Sequence, residues 1–325
     1  MCGIAGIFSA RGIKDSHREW VKRMSSLQRH RGPDDEGFYV DKVCVLGHRR
    51  LSIIDLSEMG HQPFVSDDGR YQMVYNGEIY NYIELRKELQ GLGWEFNSRT
   101  DTEVLLKAYL QYGKDCLHKF NGMFAFALYD SVEKTLFLAR DRIGVKPLYY
   151  SQKDSVLFFA SEIKALCGIP VIKRSIHFQA LFDYLVFNRT DVYDETFIEG
   201  ITRLPKGHYA AVDRHGIEIR QWWIPESYLK EFTDRDPSRI NKEIEEIMVS
   251  AVDLRMRSDV PVGSCLSGGL DSSILIGILF NRYGVPEGYP TFTAAFTEHP
   301  LDETKYIDEL KQKFPFENHR TFPTA

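Results

Sequence analysis

A cysteine stands directly behind the initiator methionine, and so small a residue at position 2 is one that removal of Met1 normally exposes. The mature chain is then expected to begin with Cys2, which would own both a thiol and a free α-amine. The ordinary pKa of such an amine, about 7.7 to 8.0, leaves much of it able to act as a base at neutral pH. Nucleophile and base would come in one residue. Attack of that sulfur on an amide builds a negative oxygen, which needs fixed hydrogen-bond donors. Asn76-Gly77 can supply an amide side chain and a backbone N–H that glycine lets approach a ligand closely. The pair is expected to end a strand, QMVY, in a turn. Asn-Gly more commonly means a hairpin, yet Glu78-Ile79-Tyr80-Asn81 follows without the return strand that a two-residue hairpin demands. Further on, Ser267-Gly268-Gly269-Leu270-Asp271-Ser272-Ser273 follows an apolar run and opens a helix. Freed N–H groups, hydroxyls and a helix N-terminus together make a cradle for phosphate. It is no Walker A loop, because G-x-x-x-x-G-K-[ST] is absent, and Cys265 stands where a G-x-S-x-G elbow needs glycine. The competing reading is an ordinary strand-to-helix turn capped by Asp271.

The elements that must position these residues fall into two parts. From Cys2 to about Trp222 the pattern is short strands: GIAGIFS, KVCVLGHRRLSII, YQMVYNGEI, GMFAFALYD, TLFLARD, VLFFAS and HYAAV. Helical spacing appears in Tyr82 to Leu92 and Thr102 to Gln111. Sheets packed on one another and covered by helices, an α+β arrangement, are expected over residues 1–222. A polar stretch bounded by Pro225 and Pro237 reads as a linker over 223–238. Residues 239–325 then run helix (Ile240 to Arg257), apolar strand (Val260 to Leu266), glycine-rich turn, helix (Ser272 to Arg282) and strand (Pro290 to Phe296), the opening of a parallel α/β sheet.

Composition narrows the function further. Of 325 residues 43% are apolar, and 41 basic side chains face 46 acidic ones, for a net charge of −5. Disorder is excluded, and no broad basic surface is offered to nucleic acid. The longest apolar stretch, Ile274 to Phe280, falls far short of the roughly 20 residues of a membrane span. The first basic residue is Arg11, so the charged leader of a secretory signal is missing and a cytoplasmic location is expected. Five cysteines without a C-x-x-C pair fit neither a disulfide framework nor a zinc site, and the ten histidines include no H-E-x-x-H.

Seven segments in order, MCGIAGIFS, RHRGPD, GHRRLSIIDL, YNGEIYNY, RTDTEVLL, FNGMFAFALYD and RDRIGVKPLYY, make the first 150 or so residues resemble a class II glutamine amidotransferase domain, and the assembly as a whole resembles the glutamine-hydrolysing asparagine synthetase family. The resemblance implies an N-terminal-nucleophile hydrolase sandwich, αββα, followed by the start of a pyrophosphate-loop ATPase domain. It implies hydrolysis of glutamine to glutamate and ammonia through a thioester on Cys2, with Asn76 and Gly77 as oxyanion donors. Arg50 would bind the glutamine α-carboxylate, a task that suits a bidentate guanidinium. Arg50, Leu51, Ser52, Ile53 and Ile54 would form that wall, and Glu78 and Asp101 the acidic side, Asp101 doubling as N-cap of the helix TEVLLKAYL. RHRGPDD reads as a loop near the entrance without assigned chemistry, and RDRIGVKPLYY as structural or interdomain.

In the second half the same resemblance places adenosine against the main chain of Leu266 and Ala294. Ser267, Gly268, Gly269, Asp271, Ser272 and Ser273 would hold pyrophosphate, and Asp271 would help place Mg²⁺. Ammonia would amidate an aspartate carboxylate activated as its adenylate, which makes the expected enzyme a ligase with glutaminase activity. Glutamine, aspartate and ATP with Mg²⁺ are the expected partners, with no tightly bound organic cofactor, no nucleic acid, no membrane, and a homodimer left open. The alternatives are an amidotransferase for a sugar or peptide carboxylate, or a fragment without synthetase activity. A full synthetase domain carries a second acidic loop and the aspartate site, neither of which precedes Ala325, so a fragment of a longer protein is the expectation.

Overall fold

The computed structural model describes residues 1–190, 193–229, 236–296 and 302–323. The chain divides into two compact units, Met1–Leu229 and Lys230–Ala325.

In the first unit two antiparallel sheets of six strands lie face to face. One runs, in spatial order, Thr202–Arg203, Tyr149–Lys153, Val156–Ala160, Gly3–Ser9, Cys44–Arg50 and Asp35–Val40; the other runs Gly216–Gln221, His208–Asp213, Thr135–Arg140, Gly122–Asp130, Tyr71–Ile79 and Phe64–Val65. The period of two along each strand decides the layers. On Gly122–Asp130 the rings of Phe124 and Phe126 and the side chain of Leu128 face the helices Tyr82–Gly91 and Asp101–Tyr112, while Ala125, Ala127 and Tyr129 face the opposing sheet. On Gly3–Ser9, Ile4 and Phe8 face inward, while Ala5 and Ile7 meet the helices Asp15–Leu27 and Ile163–Cys167. Helix, sheet, sheet, helix is the expected αββα sandwich. Phe126 is fully buried between these layers, and truncating such a ring costs about 3–5 kcal/mol.

Two local expectations are corrected. Asn76-Gly77 does not end a strand in a turn: Tyr71–Ile79 runs straight through, with Asn76 opposite Ala125 and Gly77 opposite Phe124. The partner strand supplies the missing return, from 40 or more residues downstream. Asp101 is not the N-cap of its helix either. Thr100, in extended backbone, accepts the Glu103 N–H through its hydroxyl, and Asp101 is the first helical residue.

The second unit holds a three-stranded parallel sheet in the order Ser264–Cys265, Pro290–Ala294, Glu317–Thr321. Val252, Leu266, Ile276, Leu279, Ile307 and Phe316 form its core. The first strand is shorter than the expected Val260 to Leu266, since Pro261 has no N–H to give a ladder. The helix before it is Pro237–Arg255, capped by the Asp236 carboxylate, and the next is Leu270–Ile278 with Gly269 as its N-cap, so Asp271 lies inside the first turn and caps nothing. Of the expected linker, residues 230–235 lie outside the described residues. No helix among the described residues is long and apolar enough to cross a membrane.

Candidate active site

A cavity of about 330 Å³ opens at the start of the first strand. Cys2, Arg50, Leu51, Ile53, Ile54, Asn76, Gly77, Glu78 and Asp101 line it, which brings together all the residues expected around glutamine except Ser52. Ser52 instead gives its N–H to Asp34 Oδ2 at 2.8 Å, bracing the loop from behind.

Cys2 is held at both ends. Its carbonyl accepts the Arg31 Nε–H at 2.8 Å, and its Sγ accepts the Leu51 N–H at 3.4 Å. Burial raises the Cys2 thiol above its ordinary pKa, so the resting sulfur is protonated and ionises only with a base at hand. Burial lowers the terminal amine, here that of Met1, which favours its neutral, proton-accepting form.

Asn76 is fully buried, and among the described residues neither its Oδ1 nor its Nδ2 has a hydrogen-bond partner. An orphaned buried amide costs about 1–3 kcal/mol, so its place in the lining marks a donor kept for a ligand. Gly77 adds the backbone. The Tyr75 N–H goes to Gln62 Oε1 at 2.7 Å and the Ile79 N–H to Asp101 Oδ2 at 2.9 Å, both off the edge away from Phe124. Strand alternation puts the Gly77 N–H on that same edge, between them. Phe124 confirms the sense, because its own N–H and carbonyl pair with Asp141 on its other side. A side chain at position 77 is impossible: its Cβ would stand 2.3 Å from the Met123 carbonyl oxygen.

The remaining wall is charged. Asp101 is buried and takes the Tyr75 hydroxyl at 2.8 Å as well as the Ile79 N–H; burial pushes its carboxyl up. Burial, then the neighbouring Asp101, push the Glu78 carboxyl up too. Lys146 and the terminal amine pull Glu78 the other way without overcoming burial, so the two raised carboxyls still favour a further cation such as an ammonium. Opposite, the buried Arg50 guanidinium holds the Ser57 carbonyl at 2.8 Å and those of Ile54 and Asp55, which shapes the 51–57 loop and leaves part of its fork for an anion. Sequence reasoning missed Arg31 and Lys146, although both stand in segments it had singled out, RHRGPDD and RDRIGVKPLYY. Lys146 is buried in the cavity wall, and among the described residues its ammonium has neither a hydrogen-bond acceptor nor a carboxylate within ion-pair distance.

In the second unit a cavity of about 500 Å³ is lined by Leu266, Ser267 and Ala294 together with Phe292, Phe296 and Glu303. Leu266 already gives its N–H to Phe292 and accepts the Thr293 hydroxyl at 2.6 Å, so any ligand contact through its main chain uses the carbonyl's second lone pair. In the glycine-rich loop the Ser267 and Ser272 hydroxyls lie 3.1 Å apart, and those of Ser272 and Ser273 both donate to the Gly269 carbonyl. Gly268 sits at φ +96°, where a Cβ would also strike the Glu303 carbonyl at 2.5 Å. Asp271 is exposed, and among the described residues no three carboxylates, histidines or cysteines gather as a metal site.

Two packed antiparallel sheets between helices, with a cysteine at the head of a central strand, define an N-terminal-nucleophile amidotransferase fold. The chain belongs to the glutamine amidotransferase family: the domain of that description matches residues 1–223, and a second, described as asparagine synthase, matches residues 243–324. It is 35% identical over 323 residues to asparagine synthetase [glutamine-hydrolyzing] 1 of Bacillus subtilis, covering 98% of this chain and 49% of the relative. It is 36% identical over 349 residues to a putative asparagine synthetase [glutamine-hydrolyzing] 2 of Methanocaldococcus jannaschii, covering 99% of this chain and 65% of that one. The chain thus spans about half the length of the first of these relatives. Among solved structures, a glutamine phosphoribosylpyrophosphate amidotransferase from B. subtilis, complexed with ADP and GMP, superposes with a TM-score of 0.51 at 16% identity over 98% of this chain and 81% of that one. At that identity the likeness is one of fold.

Proposed function

We propose that the first unit hydrolyses glutamine and that the ammonia serves an asparagine-forming ligase, of which residues 239–325 are the beginning. Residues 1–222 would be the glutaminase domain and 223–238 the linker. With Met1 removed, the α-amine of Cys2 takes the thiol proton and Sγ attacks the carboxamide carbon. The carbonyl π-electrons move onto oxygen, where Asn76 Nδ2–H and Gly77 N–H receive the charge. Collapse expels ammonia, protonated by the same amine, and leaves a γ-glutamyl thioester that water cleaves to glutamate. Arg50 takes the substrate α-carboxylate, and Glu78 and Asp101 its α-ammonium. The observation that carries this reading is the unpaired Asn76 amide, buried in the same cavity as the Cys2 sulfur.

In the second unit the Ser267–Ser273 loop would hold the pyrophosphate of ATP, with adenosine between Leu266 and Ala294. Asp271, as the single carboxylate of the loop, would meet Mg²⁺ only alongside the nucleotide's own phosphates. The aspartate carboxylate attacks the α-phosphorus, pyrophosphate leaves, and ammonia then displaces AMP. Support comes from the asparagine synthase match and from the cavity beside the loop. A cytoplasmic enzyme is the corresponding reading. The test is to incubate the chain with glutamine, with and without ATP, Mg²⁺ and aspartate, following glutamate, ammonia, asparagine and AMP separately. Glutamate release that survives Cys2→Ala would refute the glutaminase reading.

A further inference from the structure

Beyond the residues that line the cavity, one carboxylate outside it is linked to Cys2 through a single side chain. Strand Val156–Ala160 runs antiparallel to the N-terminal strand, with Ala160 opposite Ala5. Where the ladder stops, Ser161 continues the grip: its hydroxyl accepts the Ile4 N–H at 3.0 Å, and its own N–H goes to the Ile4 carbonyl at 2.9 Å. The next residue, Glu162, turns its carboxylate to Arg31, with Oε1 3.1 Å from Nη1. Arg31 in turn places Nε on the Cys2 carbonyl at 2.8 Å. Its side chain is 9% exposed and that of Glu162 17%, so water competes weakly for this pair.

Two further side chains touch the same carboxylate, His30 at 2.9 Å and Lys164 at 3.1 Å, but both are about half exposed and neither hydrogen-bonds to Cys2. Burial acts to raise the Glu162 carboxyl, yet Lys164, His30 and Arg31 hold it below its ordinary range, so the charge on which the chain of contacts depends is present at neutral pH.

We propose that Glu162 is a positioning residue for Cys2: it pins the Arg31 guanidinium on the Cys2 carbonyl, and so sets the orientation in which sulfur and α-amine face the cavity. The inference rests on the reading of Cys2 as nucleophile. Its physical content is that Sγ and the amine share one Cα. With the carbonyl fixed by Arg31 and the sulfur fixed by Leu51, the remaining substituent, the amine, has one place left. An Arg whose fork is tied at Nη1 keeps its Nε aimed; an untied Arg31 has a long stem free to swing, and misplacement of a reacting group by about 1 Å can cost on the order of 100-fold in rate.

The test uses the full chain with Met1 removed and measures glutamate release. Glu162→Gln keeps the shape and deletes the charge. It is expected to lower kcat by about 10- to 100-fold while KM for glutamine moves by less than about threefold, since the substrate-binding wall is untouched. In an Arg31→Lys background, where the fork is already gone, the same substitution should change kcat by less than about twofold. A residue that served only general stability would give equal effects in both backgrounds, and that result, or an unchanged kcat in Glu162→Gln, overturns the proposal. If Glu162→Gln does not fold, Glu162→Asp gives the same comparison, with a smaller loss expected because the charge is kept. Absence of turnover in the unsubstituted chain would overturn the glutaminase reading itself, and this inference with it.

Discussion

The Tyr75 hydroxyl donates to Asp101 Oδ2 at 2.8 Å, tying the strand that carries Asn76 to the first residue of the Asp101–Tyr112 helix. Both side chains are buried, so the bond is shielded from water and fixes the distance between the Asn76-Gly77 segment and the acidic end of the cavity.

Tyr75→Phe removes that tie and leaves Asp101 with backbone N–H groups only, that of Ile79 among them. A loss of about 1–3 kcal/mol in urea unfolding is expected, together with a higher KM for glutamine as the acidic wall loosens. Unchanged values of both would mean that the bond positions nothing.

Asn76→Ala separates function from stability. Losing one oxyanion donor should cost about 2.7–4 kcal/mol of transition-state stabilisation, read as kcat. The fold should be no less stable, because the amide it deletes is buried without a partner. A melting temperature well below that of the parent chain would show that the amide has a structural partner after all.

Lys146→Met probes the unpaired cation. Its charge lowers both the Cys2 thiol and the terminal amine, though burial dominates each. Without it both pKa values rise. With Met1 removed the terminal amine is that of Cys2, and the proposed mechanism needs it deprotonated, so the rising limb of kcat/KM is expected to move to higher pH. Lys146→Arg should leave it near the parent position, and an acid-side profile identical in all three chains would remove Lys146 from the electrostatics of the site. Replacing an unpaired buried charge by an apolar side chain of similar length should leave stability equal or improved.

Gly268→Ala addresses the second unit. A Cβ there combines a left-handed φ of +96° with a 2.5 Å clash against the Glu303 carbonyl. The loop must shift, so ATP-dependent steps should be lost while glutamine hydrolysis continues. Calorimetric titration with MgATP alongside a glutaminase assay reads both, and nucleotide affinity equal to that of the parent chain would exclude the loop as the phosphate site.

Much of this was legible in the sequence because it is written in short-range signals. The near-continuous apolar runs GIAGIFS and GMFAFALYD became central strands, buried on both faces between a sheet and a helical layer. Cys2, Asn76 and Gly77 were identifiable from the chemistry each residue type allows. Six strands escaped: the two-residue Phe64–Val65 and Thr202–Arg203, too short to show a pattern, and Asp35–Val40, Tyr149–Lys153, Gly216–Gln221 and Glu317–Thr321, whose exposed positions weaken the apolar pattern. So did the helix Asp15–Leu27, whose few buried positions (His17, Val21, Met24 and Ser25) include only two apolar residues.

What the amino-acid order determined by itself was the inventory: which groups can attack, donate or carry charge, and the local periodicity that places them on strands, helices and turns. The tertiary structure alone decided the pairings. Asn76-Gly77 lies within a strand because residues 122–130 return beside it, and Thr100, not Asp101, caps its helix because Asp101 is drawn to Tyr75 and Ile79. Arg31 meets Glu162 across 131 positions of sequence only because two strands align. Contacts of that separation follow from sheet register and layer packing, which are properties of the whole chain folded at once and are carried by no local run of residues.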